Sequence, residues 1–181
     1  MTGEQRATRH IVVMGVSGAG KTTVARGISE LTGLRLAEAD EFHTEAHVAQ
    51  MRAGIPLNDT DREPWLRALA GWMAERHAEG VSTVLACSAL KRAYRDVLRQ
   101  GPQRVEFLHL DGSAELMRER LDRRVGHYMP ASLFDSQRAI LEHLEPDESG
   151  MVLEVAASPD DLVRAAIDRL GLPLREAAAG R

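Results

Sequence analysis

The stretch Gly15-Val16-Ser17-Gly18-Ala19-Gly20-Lys21-Thr22-Thr23 constrains this chain more than any other. It follows the apolar run Ile11-Val12-Val13-Met14 and opens a helix-compatible segment, Thr22 to Leu31. Strand, glycine loop, helix is the context in which G-x-x-x-x-G-K-[ST] reads as a phosphate-binding P-loop. Glycines let the backbone wrap closely, so that successive N–H groups point at phosphate oxygens. The start of the following helix adds unpaired N–H groups and the positive end of a dipole. Lys21 would reach the β- and γ-phosphates, and the Thr22 hydroxyl would ligate Mg²⁺. The expectation is a binder of nucleoside triphosphate.

A chain of 181 residues fits one domain, taken here as 1–181, and can bury a substantial core. A net charge of -4 gives no reason to expect nucleic acid or a membrane surface as partner. Cys87 is the only cysteine, which rules out an internal disulfide and suits a reducing compartment. Met1 to His10 is polar and lacks the apolar core of a secretory signal, and no apolar run approaches the ~20 residues of a membrane span. A cytoplasmic location is expected.

Apolar runs alternate with amphipathic segments, the pattern of an α/β fold with a parallel sheet. Strands are expected at Ile11–Met14, Leu34–Ala37, Thr83–Ala86, Val105–Leu110 and Met151–Val155. Helices are expected at Thr22–Leu31, Glu45–Arg52, Arg62–Glu79, Leu90–Arg99, Ala114–Arg124 and Asp160–Leu170. Ligands of such sheets sit outside the carboxyl ends of the strands. There the P-loop is joined by Asp40 and His43 after the second strand and by Ser88 and Lys91 after the third.

Asp40 could accept or orient a substrate hydroxyl; it could equally cap a helix or hold water around Mg²⁺. His43 could share that task or serve as hydrogen-bonded scaffolding. Asp61 and Pro64 suit a helix start, with Trp65 and Leu66 in the core, and this leaves Arg62 at a helix N-terminus that disfavours a cation. Such a placement suggests an anion-binding role, against an ordinary ion pair with Asp59 or Glu63. P-loop enzymes often carry an acid at the end of the third strand; here Cys87-Ser88 stands there, with Cys87 read as a buried filler. Arg120 and Arg124 are four apart and share a helical face. With Gly126 and Pro130 bounding a segment that could hinge, they would close over the transferring phosphoryl group as part of a lid at about 120–137. A solvated basic face paired with Glu119 and Asp122 is the plainer alternative.

Together these motifs resemble the gluconate kinases, small P-loop sugar-acid kinases related in fold to shikimate and nucleoside-monophosphate kinases. The resemblance rests on the P-loop, on Pro56-Leu57-Asn58-Asp59 with Asp61-Arg62 and Pro64-Trp65-Leu66, and on Cys87-Ser88-Ala89-Leu90-Lys91 with Tyr94-Arg95-Asp96. Gly126-His127, Met129-Pro130 and Leu144-Glu145-Pro146 follow in the same order. The resemblance implies a five-stranded parallel sheet ordered 2-3-1-4-5 with a helical lid, and transfer of the ATP γ-phosphoryl group to D-gluconate with Mg²⁺. A homodimer is also implied. For this chain it implies ATP on Gly15 through Thr23 with Arg120. It places the sugar acid on Asp40, His43, Arg62, Ser88, Lys91, Arg95 and His127. Lys21, Asp40, Arg120 and Arg124 would carry the catalysis. The chain departs from the family pattern at Thr44, His47, Gln50, Tyr128 and His143.

Another P-loop kinase, for shikimate or a different sugar acid, would differ in which basic residues receive the substrate carboxylate. A nucleotide-binding regulator without catalysis would not need an arginine-rich lid, and no Asn-Lys-x-Asp guanine signature is present.

Overall fold

The computed structural model describes residues 7–102, 104–123 and 131–175. The element order is β1 (His10–Met14), α1 (Lys21–Thr32), β2 (Arg35–Glu38), a 3-10 turn (Ala39–Phe42), α2 (Glu45–Arg52) and α3 (Asp59–Ala78). Then come β3 (Thr83–Ala86), α4 (Arg92–Leu98), β4 (Val105–Asp111), α5 (Ala114–Asp122), α6 (Ala131–Ile140), β5 (Gly150–Glu154) and α7 (Pro159–Leu170). The strands form one parallel sheet in the order β2-β3-β1-β4-β5, as the resemblance implied.

Both faces of that sheet are covered, which is why β1 reads as an unbroken apolar run. Side chains alternate faces along a strand. Ile11 and Val13 enter a core with Val24 and Ile28 of α1 and Leu162, Val163 and Ile167 of α7. Val12 and Met14 enter the opposite core with Trp65, Leu66, Leu69 and Met73 of α3 and Tyr94 and Leu98 of α4. The carboxyl ends of β1, β2 and β3 are thereby fixed side by side under the P-loop.

Three boundaries differ from expectation for local reasons. Helix α3 begins at Asp59, ahead of the expected Arg62, because Asn58 is its cap: the Asn58 side chain accepts the Asp61 amide while Asp61 accepts the Asn58 amide. Asp61 is thus the third residue of the helix, Pro64 lies inside it, and Arg62 sits in its second turn, beyond the strongest dipole effect. Helix α4 begins at Arg92 because Ala89, a non-glycine residue at φ 43°, breaks the helical path after Ser88. Helix α5 ends at Asp122 with Arg123 as its C-cap; Arg124 lies outside the described residues.

Arg95 is corrected from substrate ligand to scaffold. Its side chain is 0% exposed and paired with Glu148, also 0% exposed, through bonds of 2.7 and 2.8 Å. Its remaining donors reach the carbonyls of Ala89, Leu90, Glu142 and His143, so α4, the loop before it and the segment after α6 are tied by one guanidinium. Burial alone would push the Glu148 carboxyl up; the Arg95 hydrogen bonds hold it down at about 2.

Candidate active site

The P-loop is held by close backbone packing. Gly15 has φ 145°, and a Cβ there would fall 2.7 Å from the Leu110 carbonyl oxygen. Gly18 has φ 84°, and its Cβ would fall 2.8 Å from the Met117 carbonyl oxygen. No other residue fits either position. The loop therefore lies against β4 and α5, and Lys21 folds back with its ammonium donating to the Val16 carbonyl at 3.0 Å.

In front of the loop opens a cavity of about 540 Å³, a size suited to a small metabolite and the end of a triphosphate. Its floor includes Ser17, Gly18, Gly20, Lys21 and Thr22. Asp40, His43 and Ser88 line it as well, so three segments far apart in sequence meet at the sheet edge. The turn bearing Asp40 is pinned from below: the Trp65 indole donates to the Ala39 carbonyl at 2.7 Å, and the same indole stacks on His43 at 4.3 Å. Burial lowers the His43 pKa, which keeps its ring neutral.

Arg62 reaches the cavity from α3. Its guanidinium donates to the Tyr94 hydroxyl at 2.8 Å, while Glu63 pairs with Arg67; neither carboxylate partner considered from the sequence engages Arg62 in a salt bridge among the described residues. Tyr94 donates in turn to Asp59, which also holds Lys91 at 2.9 Å. Lys91 is thus one step behind the cavity wall, bonded to the carboxylate that anchors Arg62's partner.

Two site residues were not read from the sequence. Glu38, the last residue of β2, accepts the Thr22 hydroxyl at 3.0 Å and lines the cavity. Its other carboxylate oxygen is buried without a hydrogen-bond partner, and burial pushes its pKa up, with Asp40 adding to the effect. The signal was the acid-x-acid spacing Glu38-Ala39-Asp40 after a strand. Arg52, in the last turn of α2, brings a second arginine to the cavity. Val48 and Met51 of the same helix line it too. His47 and Gln50 are absent from that lining, and Gln50 donates to the Pro56 carbonyl instead.

Thr22, Glu38 and Asp40 offer only hydroxyl and carboxylate oxygens, and one Glu38 oxygen lacks a partner. That donor set fits Mg²⁺, a hard ion that prefers oxygen. Cys87 also lines the cavity, but burial pushes its thiol up to about 12, so it is chemically inert there.

Arg120, expected to reach the transferring phosphoryl group on closure of a lid, does not line the main cavity in this structure. It lines a second cavity of about 180 Å³ with Gly18, Gly20, Thr23 and Pro159, and it donates to the Val155 carbonyl at 2.5 Å. Leu121, Leu133 and Gln137, from α5 and α6, roof the main cavity. Arg124, Gly126, His127, Tyr128, Met129 and Pro130 fall outside the described residues.

A family model described as an AAA domain matches residues 11–144. The gluconokinase of Gluconobacter oxydans (strain 621H) is 47% identical over 152 residues, which cover 84% of this chain and 85% of that protein. Among solved structures, an unliganded sugar kinase from Janibacter sp. HTCC2649 is 59% identical, with a TM-score of 0.88 over 91% of this chain and 95% of that one. A gluconokinase from Sinorhizobium meliloti 1021 is 40% identical, with a TM-score of 0.81 over 91% of this chain and 94% of that one. With identity at this level across most of both chains, and with a P-loop facing an acid-lined, arginine-walled cavity, the chain belongs to the gluconokinase family.

Proposed function

We propose that the protein transfers the γ-phosphoryl group of ATP to the terminal hydroxyl of D-gluconate, giving 6-phospho-D-gluconate and ADP. The observation that carries this reading is the single cavity in which Lys21 and Thr22, Asp40, and two arginines face one another. In it, the P-loop amides and Lys21 hold the β- and γ-phosphates. Asp40 accepts the proton of the attacking hydroxyl as the new P–O bond forms and the bond to ADP breaks. Arg62 and Arg52 receive the sugar-acid carboxylate at the far end, Arg62 already oriented by Tyr94. Thr22, with Glu38 behind it, would hold Mg²⁺, which would supply neutralisation of phosphate charge.

The second cavity suits the nucleotide base. It adjoins the P-loop at Gly18 and Gly20, and it offers the Arg120 guanidinium and the Pro159 ring as flat or apolar surfaces. On this reading Arg120 binds ATP by its base, while Arg124 and His127 belong to a lid at about 120–137 that closes over the acceptor. Ser88 and His43 border the sugar hydroxyls. The resemblance also carries a single-domain homodimer working in the cytoplasm, tested by sedimentation and by localisation of the tagged protein. No helix among the described residues is long and apolar enough to cross a membrane.

An ADP-release assay against a panel of sugar acids, shikimate and nucleoside monophosphates tests the assignment. Gluconate should give the highest kcat/KM; a stronger response to shikimate or a nucleotide would overturn it.

A further inference from the structure

Outside the two cavities, three potential ligands converge where the fold alone gives no reason for them. Strand alternation puts His109 and Asp111 of β4 on one face of the sheet. His143, in the segment after α6, comes down onto that face, its ring 5.4 Å from the His109 ring. One ligand atom from each of the three lies within 4.8 Å of the others.

His109 is 0% exposed, and neither of its ring nitrogens has a hydrogen-bond partner. A buried imidazole normally spends at least one nitrogen on a neighbour, so an orphan of this kind calls for an explanation. Asp111 is already aimed: one carboxylate oxygen accepts the Gly112 amide at 2.9 Å, and the other lies 3.7 Å from His143 Nδ1. Two donors on a tetrahedral ion with bonds of about 2.1 Å stand roughly 3.4 Å apart, so this pair needs to close only slightly. The entry path is open, because His143 is exposed and Asp111 half-buried while His109 forms the inner wall. The backbone is ready too, since Arg95 holds the Glu142 and His143 carbonyls, and its own charge is matched by Glu148. Burial lowers the His109 pKa to about 4, leaving the neutral ring that metals take as a ligand.

We propose that His109, Asp111 and His143 form a binding site for a divalent first-row transition ion, Zn²⁺ being the probe of choice. Two imidazoles and one carboxylate make a borderline donor set suited to such ions and poorly suited to Mg²⁺, so this site is chemically distinct from the one beside Thr22. None of the three residues lines either cavity. The bound ion ties the segment following α6 to β4, one strand from the P-loop, and acts as a staple on the fold. The assignment does not depend on which substrate the kinase takes.

Chelator-competition titration of Zn²⁺ into the full chain, stripped of metal and free of any histidine tag, tests this. The wild type should bind one ion per chain in the presence of millimolar Mg²⁺, and its Tm should rise with Zn²⁺. His143→Ala, at an exposed position, should fold normally, weaken binding by at least about 10-fold and lose the Tm response. Asp111→Asn is the second variant and should also weaken binding. His47→Ala controls for the His43–His47 pair, 6.1 Å apart, and should leave binding unchanged. Absence of Zn²⁺ binding by the wild type, or loss of binding in His47→Ala with retention in His143→Ala, would overturn the assignment.

Discussion

The side-chain oxygen of Gln137 accepts a hydrogen bond from the Ser17 amide at 2.8 Å, joining α6 to the phosphate-binding loop. The amide belongs to the set that a P-loop turns toward phosphate, so a glutamine of the cavity roof stands where an anion would. For the γ-phosphate to use that amide, Gln137 must let go.

Gln137→Ala should therefore tighten binding of a non-hydrolysable ATP analogue. A neutral hydrogen bond contributes about 0.5–1.5 kcal/mol net, which corresponds to roughly 2- to 12-fold in Kd. Calorimetric titration checks it. Weaker binding in the variant would mean that the contact orders the loop and does not compete for it.

Asp40 and Glu38 should separate under mutation. Asp40→Asn removes the proton acceptor and should lower kcat by roughly 10²-fold or more, at any Mg²⁺ concentration. Glu38→Gln alters the carboxylate bonded to Thr22 and should raise the Mg²⁺ requirement, with activity recovering as Mg²⁺ is added. Steady-state kinetics over a Mg²⁺ series decides; rescue of Asp40→Asn by Mg²⁺ would exchange the two assignments.

Arg95→Met should destabilise the fold by about 3 kcal/mol in urea titration, because it leaves the buried Glu148 carboxylate with only Arg99, among the described residues, as ion-pair partner, at 3.2 Å. Arg95→Met with Glu148→Leu, which removes both charges, should regain much of the loss. A single variant within ~1 kcal/mol of wild type would show that Arg99 and the Glu145 amide suffice to hold Glu148.

His10 sets a pH dependence of stability. It is buried between Thr83, 2.8 Å away, and His77, 3.2 Å away, and burial, then the charge of His77, lowers its pKa from 6.5 to about 4. The native state thus refuses a proton that the unfolded chain accepts near 6.5. The stability is fully present above that pH and declines as pH falls toward 4, with a slope of up to about 1.4 kcal/mol per pH unit. His10→Gln should flatten that decline in denaturant midpoints measured between pH 7 and 4.5; an unchanged slope would place the titration elsewhere.

The parallel α/β class was legible in the P-loop and the alternating apolar runs, the sheet order came with the resemblance to the gluconate kinases, and β3 and α2 fall at the expected residues. Arg95 was not legible. Its neighbours Tyr94 and Asp96 look like surface-helix residues, and only the distant Glu148 shows that its charge is spent internally. Glu38 was missed because the last residue of a short strand looked like a strand end, while Asp40 two positions on drew the chemistry. The place of Arg120 was not legible either: periodicity gives a direction around a helix, not which cavity lies there.

The indole of Trp65 has a consequence for how this cavity can change. By gripping the Ala39 carbonyl and lying flat on His43, it makes the Asp40 turn an outgrowth of α3. That wall is rigid. The facing wall is α2, which buries none of its residues and is held by its Thr44 cap and by Gln50 on the Pro56 carbonyl. The reacting end of an acceptor therefore meets stone and its remote end meets a hinge. Acceptors that share a terminal hydroxyl but differ in length or in their anionic end should therefore be accommodated by shifting α2, so a change of substrate in this scaffold should begin at Val48, Met51 and Arg52 and leave the Asp40 turn in place.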